Sequence, residues 1–430
     1  MEYQSTRDFT RAEFSAYCHR FWEPRLKSRS IEWDDEKRKA LDGYLKIVER
    51  FAPAWLEEFE LCDKAMGLEP GGYAIRELKQ DTTKPKPPHE CTSWLLNPQV
   101  SANGRRVIHK VRDANDHEIS LMRFRTECNP KAYRWLGLGT LGRMSPCMGM
   151  IERGLAVIMN SGEPTTERNF PGLTTPNIAR CILERCANLE EAQALYAEII
   201  QDRCYSHGVS GSIFMMADTT RGLIAENTAC HFEVAYIDEA FLVRANAWHL
   251  PGMECHSTSG YKTIVGNAMR ETQARDGIRA AIQEKGTVAL EDCWAIARFR
   301  EGTINRQNRA ICTDFTNSSA SLEIDWEHPL LSSVYVAIGP SDQTPFMPVP
   351  LCATRYPVQM VDGSWSDEAF KAQKEVGLQS DLSRFTELEA RMMAIYRPAQ
   401  ERARALVGSN LAQAQALLQE AFEGCCQLRV

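Results

Sequence analysis

The sequence has no run of about 18 apolar residues, the length that a membrane-spanning helix needs. Its opening stretch, Met1-Glu-Tyr-Gln-Ser-Thr-Arg-Asp8, lacks the apolar core of a secretion signal. Positive charge is not in excess either. The chain carries a net charge of −7 at pH 7, and its arginines do not interleave with aromatics as a nucleic-acid groove would require. The 15 cysteines run from Cys18 to Cys426 without framework spacing, which in a chain of 430 residues points to reduced thiols. There is no HExxH, no paired CxxC, no internal repeat and no low-complexity block. These absences set the expectation of a cytoplasmic protein with no membrane and no nucleic-acid partner.

What is present is the composition of an ordinary globular protein, 43% hydrophobic and 25% charged. Residues 36–51 place Ala40, Leu41, Tyr44, Leu45, Val48 and Phe51 at helical spacing, and a second helix fits 53–66, with Pro53 at its start and Gly67 past its end. Between 91 and about 340 the texture changes to short strands, at 106–111, 119–124, 155–159, 213–217, 223–226, 232–237, 241–244, 319–325 and 333–338. Asn103-Gly104 is a turn signal between apolar runs. Helices fit 176–186, 189–202, 260–283 and 291–299, and the tail is helical at 382–395 and 400–422. Strands in runs with helices grouped between them predict an α+β protein with sheets packed face to face and helices outside. Gly137-Leu-Gly139-Thr-Leu-Gly142 lacks the following helix and acidic partner of a dinucleotide loop, so it is read as a turn-rich connection.

The most informative residue is Cys91. It follows Asp81-Thr-Thr-Lys-Pro-Lys-Pro-Pro-His-Glu90, where Pro85, Pro87 and Pro88 disfavour regular structure and predict an exposed linker. Directly after it the chain turns strand-like, Cys91-Thr-Ser-Trp-Leu-Leu96. Scission between Glu90 and Cys91 would leave thiol and free amine on one residue, a minimal pair of nucleophile and base. Reference pKa values of about 7.7–8.0 for the amine and about 8.5 for the thiol match them for proton exchange near neutral pH. The competing reading is a buried structural cysteine, the commoner fate of a free thiol. His249, Cys255 and His256 share a Pro-Gly-containing loop, but without a metal motif the expectation is no metal and no organic cofactor.

Ordered along the chain, several segments resemble the N-terminal-nucleophile (Ntn) hydrolases, in particular the cysteine branch that contains isopenicillin N acyltransferase, with choloylglycine hydrolase and penicillin V acylase further off. These segments are the 53–67 leader helix, Cys91-Thr92, Val107-Ile-His-Lys-Val-Arg-Asp113, Cys147 to Asn160, Leu242-Val-Arg-Ala-Asn246, and the closing strands from Ala310-Ile-Cys312 through Ser318 to Gly339-Pro340. The resemblance implies a four-layer αββα sandwich, with a helical leader and linker at 1–90, a catalytic domain at 91–350 and a helical extension at 351–430.

The resemblance also implies roles. Cys91 is the nucleophile, first on the Glu90 carbonyl and then on a substrate amide. Asp113 holds the Cys91 amine, and Asn246 donates to the oxyanion. Thr92, Arg112, His109, Asn317 and Ser318 are supporting or pocket candidates, with Arg112 standing where the family often has Asn. Trp94, Tyr133, Trp135, Met144, Met148, Trp248 and Met253 would rim an apolar acyl pocket. The implied activity is hydrolysis of a small linear acyl amide, or acyl transfer, through a Cys91 thioester. The rivals are a coenzyme A-dependent N-acyltransferase and an unprocessed binding protein on the same scaffold. The striped tail suits either a cap on the layers or a homo-oligomer contact.

Overall fold

Capping and alternation account for where the elements fall. The helix Thr175–Arg185 opens on a capping box between Thr174 and Asn177 with Pro176 at its start. The helix Leu189–Gln201 is capped by Asn188 accepting from the Glu191 N–H, and the long helix Tyr261–Lys285 stops at Gly286, whose φ of 78° suits glycine. These elements belong to a computed structural model that describes residues 1–5, 8–26, 31–78, 90–122, 125–206, 208–300, 310–376 and 382–429. Of the linker expected at 81–90, only Glu90 lies within the described residues.

Two antiparallel sheets form the middle. The first has six strands in the order Phe241–Arg244, Cys91–Leu96, Arg106–Asp113, Thr316–Ile324, Ser333–Ile338 and Met347–Pro350. The second has seven, from Phe232–Ile237 through Gly222–Asn227, Ser210–Ala217, Ala156–Pro164, Met148–Ile151 and Trp135–Thr140 to Ile119–Met122. Cys91 pairs with Arg112, Ser93 with Lys110 and Leu95 with Ile108. Since side chains alternate, these six share one face. That face looks at the second sheet: Ser93 and Lys110 both reach Asn160 there, and Arg106 donates to the Asp218 carbonyl.

The other face carries Trp94 and His109 and meets the outer helices Tyr261–Lys285 and Leu290–Ala297, where the Trp94 indole donates to Cys293 Sγ. Thr175–Arg185 and Leu189–Gln201 cover the far side of the second sheet. The order helix, sheet, sheet, helix is the αββα sandwich expected from the sequence.

Two local readings are corrected. The glycine-rich 137–142 stretch is largely strand, Trp135–Thr140. Its glycines are there because the neighbours leave no room: a Cβ on Gly137 would sit 2.4 Å from the Met148 carbonyl, and one on Gly139 would sit 2.2 Å from Met122 Sδ. The tail helix runs unbroken through Pro398, Ser383–Leu406, because Tyr396, Gln400 and Ala403 stay buried on either side of it. The break falls at Val407–Asn410 instead, where Asn410 caps the next helix, Leu411–Arg429. The proline-rich passage after Pro340 holds an edge strand, Met347–Pro350, a place where missing N–H groups are tolerated, and a helix, Ser364–Val376.

Both ends of the chain pack onto this frame. Glu58 from the N-terminal helices and Glu184 on Arg180's own helix both hold the buried Arg180, at 2.5 and 2.7 Å, and its guanidinium lies 4.5 Å from the Trp55 ring. In the extension, Glu389 grips buried Arg298, and Tyr396 bonds Ser333 at 2.7 Å, which fixes the tail against the edge of the first sheet. The short strand Tyr3–Ser5 pairs with Arg355–Pro357, joining the two ends. All 15 cysteines are unbridged. Among the described residues, no helix is long and apolar enough to cross a membrane.

Candidate active site

Cys91 begins a strand that is buried along its whole length, and Cys91 itself is 5% exposed. Both sides of the Glu90–Cys91 peptide are held. The Cys91 N–H donates to Asn246 Oδ1 at 2.8 Å, and the Glu90 carbonyl accepts from the Asp113 N–H at 2.9 Å. The Glu90 carboxylate is bound by Arg270, which also donates to Asn246 Oδ1 at 3.0 Å and Asn267 Oδ1 at 2.7 Å. The peptide is therefore fixed by residues from a neighbouring strand, a loop and a helix.

Asn246 stands beside Cys91, with its oxygen rather than its N–H turned to the Cys91 nitrogen. Its Nδ2 donates to the Ser161 carbonyl at 2.7 Å. The orientation follows from the partners, since two N–H donors converge on one end of the amide and a carbonyl faces the other. Two buried glutamates hold this loop. Glu271 accepts from the Ala245 N–H at 2.9 Å, and Glu226 accepts from the N–H groups of His249 and Leu250 and from Arg244. His249 bonds Glu271, which raises its pKa above that of an ordinary histidine.

The Asp113 carboxylate accepts from Thr316 at 2.6 Å and Thr313 at 3.1 Å. Burial pushes its pKa up to about 7; the Thr316 bond and the charge of Arg270 work against that rise, and the charge of Glu90 adds to it. Its link to the Glu90–Cys91 bond is the backbone N–H described above. His109 lies on the sheet face away from the Cys91 thiol, stacked on Trp94 at 4.2 Å and bonded to Ser321 at 2.7 Å. Burial lowers its pKa to about 3, so the ring is neutral. Thr92 shares that face, and its hydroxyl has no partner among the described residues.

On the thiol's own face stand Arg112 and Lys110. Arg112 pairs with Asp116 at 2.8 Å rather than with its neighbour Asp113. Burial opposes charge on both, yet their attraction keeps Arg112 firmly protonated and brings Asp116 down to about 2. Asn317 donates to Asp116 at 3.0 Å, and Ser318, the register partner of Arg112, donates to Asn317. These two candidates thus sit behind Arg112. Lys110 donates to Asn160 Oδ1 at 2.7 Å, Ser93 donates to the same oxygen at 2.9 Å, and Asn160 Nδ2 donates to the Ala245 carbonyl. Asn160 therefore ties the second sheet to both the Cys91 strand and the Asn246 loop.

Lys110, Asn160, Glu226, Arg270 and Glu271 were missed from sequence. Only Lys110 had a usable signal there, since it shares strand parity with Arg112. Three residues of the expected apolar rim are engaged in contacts of their own. Trp94 faces the helices, Met144 lies against Arg180, and Trp248 donates to the Ser212 carbonyl. The loop trio also separates: His249 goes to Glu271, and Cys255 donates to the Gly252 carbonyl. His256 instead joins His231 around Glu167, at 2.9 and 2.8 Å, with the two rings stacked. These three have ligand atoms close enough to hold a metal ion.

Residues 100–278 match the family model for acyl-coenzyme A:6-aminopenicillanic acid acyl-transferase. The family resemblance drawn from the sequence is borne out over that stretch. It contains Lys110, Arg112, Asp113, Asn160, Asn246 and Arg270 and begins just past Cys91. No curated protein matches by sequence. Among solved structures, a mutant conjugated bile acid hydrolase from Clostridium perfringens is similar at 14% identity, covering 60% of this chain and 92% of that one with a TM-score of 0.42. A Caenorhabditis elegans ortholog of N-acylethanolamine-hydrolyzing acid amidase gives 14% identity, 58% and 100% coverage and 0.37. Penicillin V acylase from Agrobacterium tumefaciens gives 13%, 60% and 86%, and 0.39.

Proposed function

We propose that this protein is a cysteine Ntn amidohydrolase that activates itself by cutting the Glu90–Cys91 bond and then cleaves small linear N-acyl amides through a Cys91 thioester. The observation that carries this reading is the grip on that one peptide. Its carbonyl oxygen takes an N–H from Asp113, and its nitrogen is held by Asn246. A backbone N–H on a carbonyl oxygen is what stabilises the oxyanion that forms when a nucleophile adds. The Cys91 sulfur would add to the Glu90 carbonyl, the peptide nitrogen would leave as the new α-amine, and water would release the leader from sulfur. The amine so formed then serves as the base for substrate turnover.

Cys91→Ala tests this directly. Mass spectrometry of the purified wild-type chain should show fragments 1–90 and 91–430, and the variant should stay whole. A wild-type chain that stays intact through prolonged incubation favours the non-catalytic binding protein instead.

The matched family description also supports acyl transfer as a second reading. A thioester shielded from water would pass its acyl group to an amine. Product analysis with and without a competing amine or coenzyme A separates hydrolysis from transfer.

A further inference from the structure

The side chain of Glu90 is as firmly held as its carbonyl. Arg270 is fully buried on the helix Tyr261–Lys285, and its guanidinium takes the Glu90 carboxylate while also donating to the side-chain amide oxygens of Asn246 and Asn267. A guanidinium is a planar fork matched to a carboxylate, and a buried one carries a standing demand for an anion. In the self-cutting reaction Glu90 is the acyl residue. Counting from the scissile carbonyl carbon through Cα, Cβ and Cγ to the carboxylate carbon gives the five-carbon skeleton of a glutaryl group. The carboxylate that leaves Arg270 when the leader end withdraws is thus replaceable by one on an acyl group of the same length.

We infer that Arg270, with Asn267, is a carboxylate receptor on the acyl side of the bond broken at Cys91. It seats Glu90 in the uncut chain and then selects glutaryl or α-glutamyl amides in the cut one. This rests on the cleavage reading above. The chemistry is that of any acyl amide: sulfur adds to the carbonyl, the amine leaves with the thiol proton, and water frees the dicarboxylic acid and restores the thiol. Arg270 takes no proton and makes no bond. It places the carbonyl against sulfur by holding the far end of the acyl chain.

The test compares glutaryl-4-nitroanilide with pentanoyl-4-nitroanilide on wild-type protein whose cleavage has first been measured by mass. The two acyl chains match in length and differ in the terminal carboxylate. The expected kcat/KM ratio is about 10²-fold or more in favour of glutaryl, because a site built for a polar group rejects the analogue without it. Free glutarate should compete with the substrate, and pentanoate should not. Arg270→Gln should bring the two anilides within a few-fold of each other by slowing glutaryl turnover. Cleaved wild-type protein that handles both anilides equally, or neither, overturns the receptor and leaves the cleavage reading standing. Protein that does not cut at Cys91 removes both.

Discussion

Asn246 Oδ1 accepts from two donors at once, the Cys91 N–H at 2.8 Å and Arg270 at 3.0 Å. One side-chain oxygen therefore couples the nitrogen of the proposed cleavage site to the guanidinium that binds the residue before it. The Nδ2 of the same amide is spent on the Ser161 carbonyl, so both ends of the Asn246 amide are held.

Asn246→Ala removes the contacts to Cys91, Arg270 and Ser161. Each hydrogen bond that positions the peptide is worth about 1–3 kcal/mol, so the appearance of fragment 91–430 on a gel should slow by about 10- to 10²-fold. Asn246→Asp keeps an acceptor for the Cys91 N–H and should fall between Ala and wild type. Equal cutting rates for all three would mean that the contact is incidental.

Asp113 should give the chain a distinctive pH response. Burial raises its folded pKa to about 7 from an ordinary 3.8, so between those values the native state binds more protons than the unfolded one. Its contribution to stability therefore falls as pH rises through that window, and the full penalty is present above about 7. At about 1.4 kcal/mol per pKa unit this amounts to a few kcal/mol. In a Cys91→Ala background, Asp113→Asn should gain stability relative to its parent at pH 7.5 and not at pH 4, read as urea midpoints. A difference that does not change with pH would count against a raised carboxyl.

Leader and body should stay together after cutting, because Glu58 reaches across to Arg180. Glu58→Ala strips a carboxylate from a buried guanidinium, a loss of about 3 kcal/mol. The expected result is a lower unfolding midpoint in the uncut chain and partial loss of fragment 1–90 during size exclusion of the cut one. Full retention together with an unchanged midpoint would show that aromatic packing around Trp55 suffices alone.

How far the site was legible depended on distance along the chain. Cys91 stood out because a Pro-rich stretch precedes it and a strand follows it. Arg112 was noted as a supporting candidate, yet its counter-charge was not legible, since sequence displays neighbours and hides the strand pleat. In the sheet, Arg112 and Asp113 point to opposite faces, and the counter-charge comes from Asp116. The same pleat puts His109 on the helix side, away from the thiol.

Arg270 sits in the middle of a helix with little amphipathic pattern, and nothing local connects it to Glu90, 180 positions earlier. Asn160 is likewise joined to Lys110 and Ser93 only by the packing of one sheet on another.

By itself the sequence determined the alternation of strands and helices, their caps, and the placement of a cysteine at the head of a strand, because periodicity, capping and proline act over a few residues. Only the tertiary structure decided which charges share a face, which buried cation meets Glu90, and which way the Asn246 amide points. Those outcomes depend on register between strands and on desolvation inside the sandwich, and both arise only once segments far apart in the chain are brought into contact.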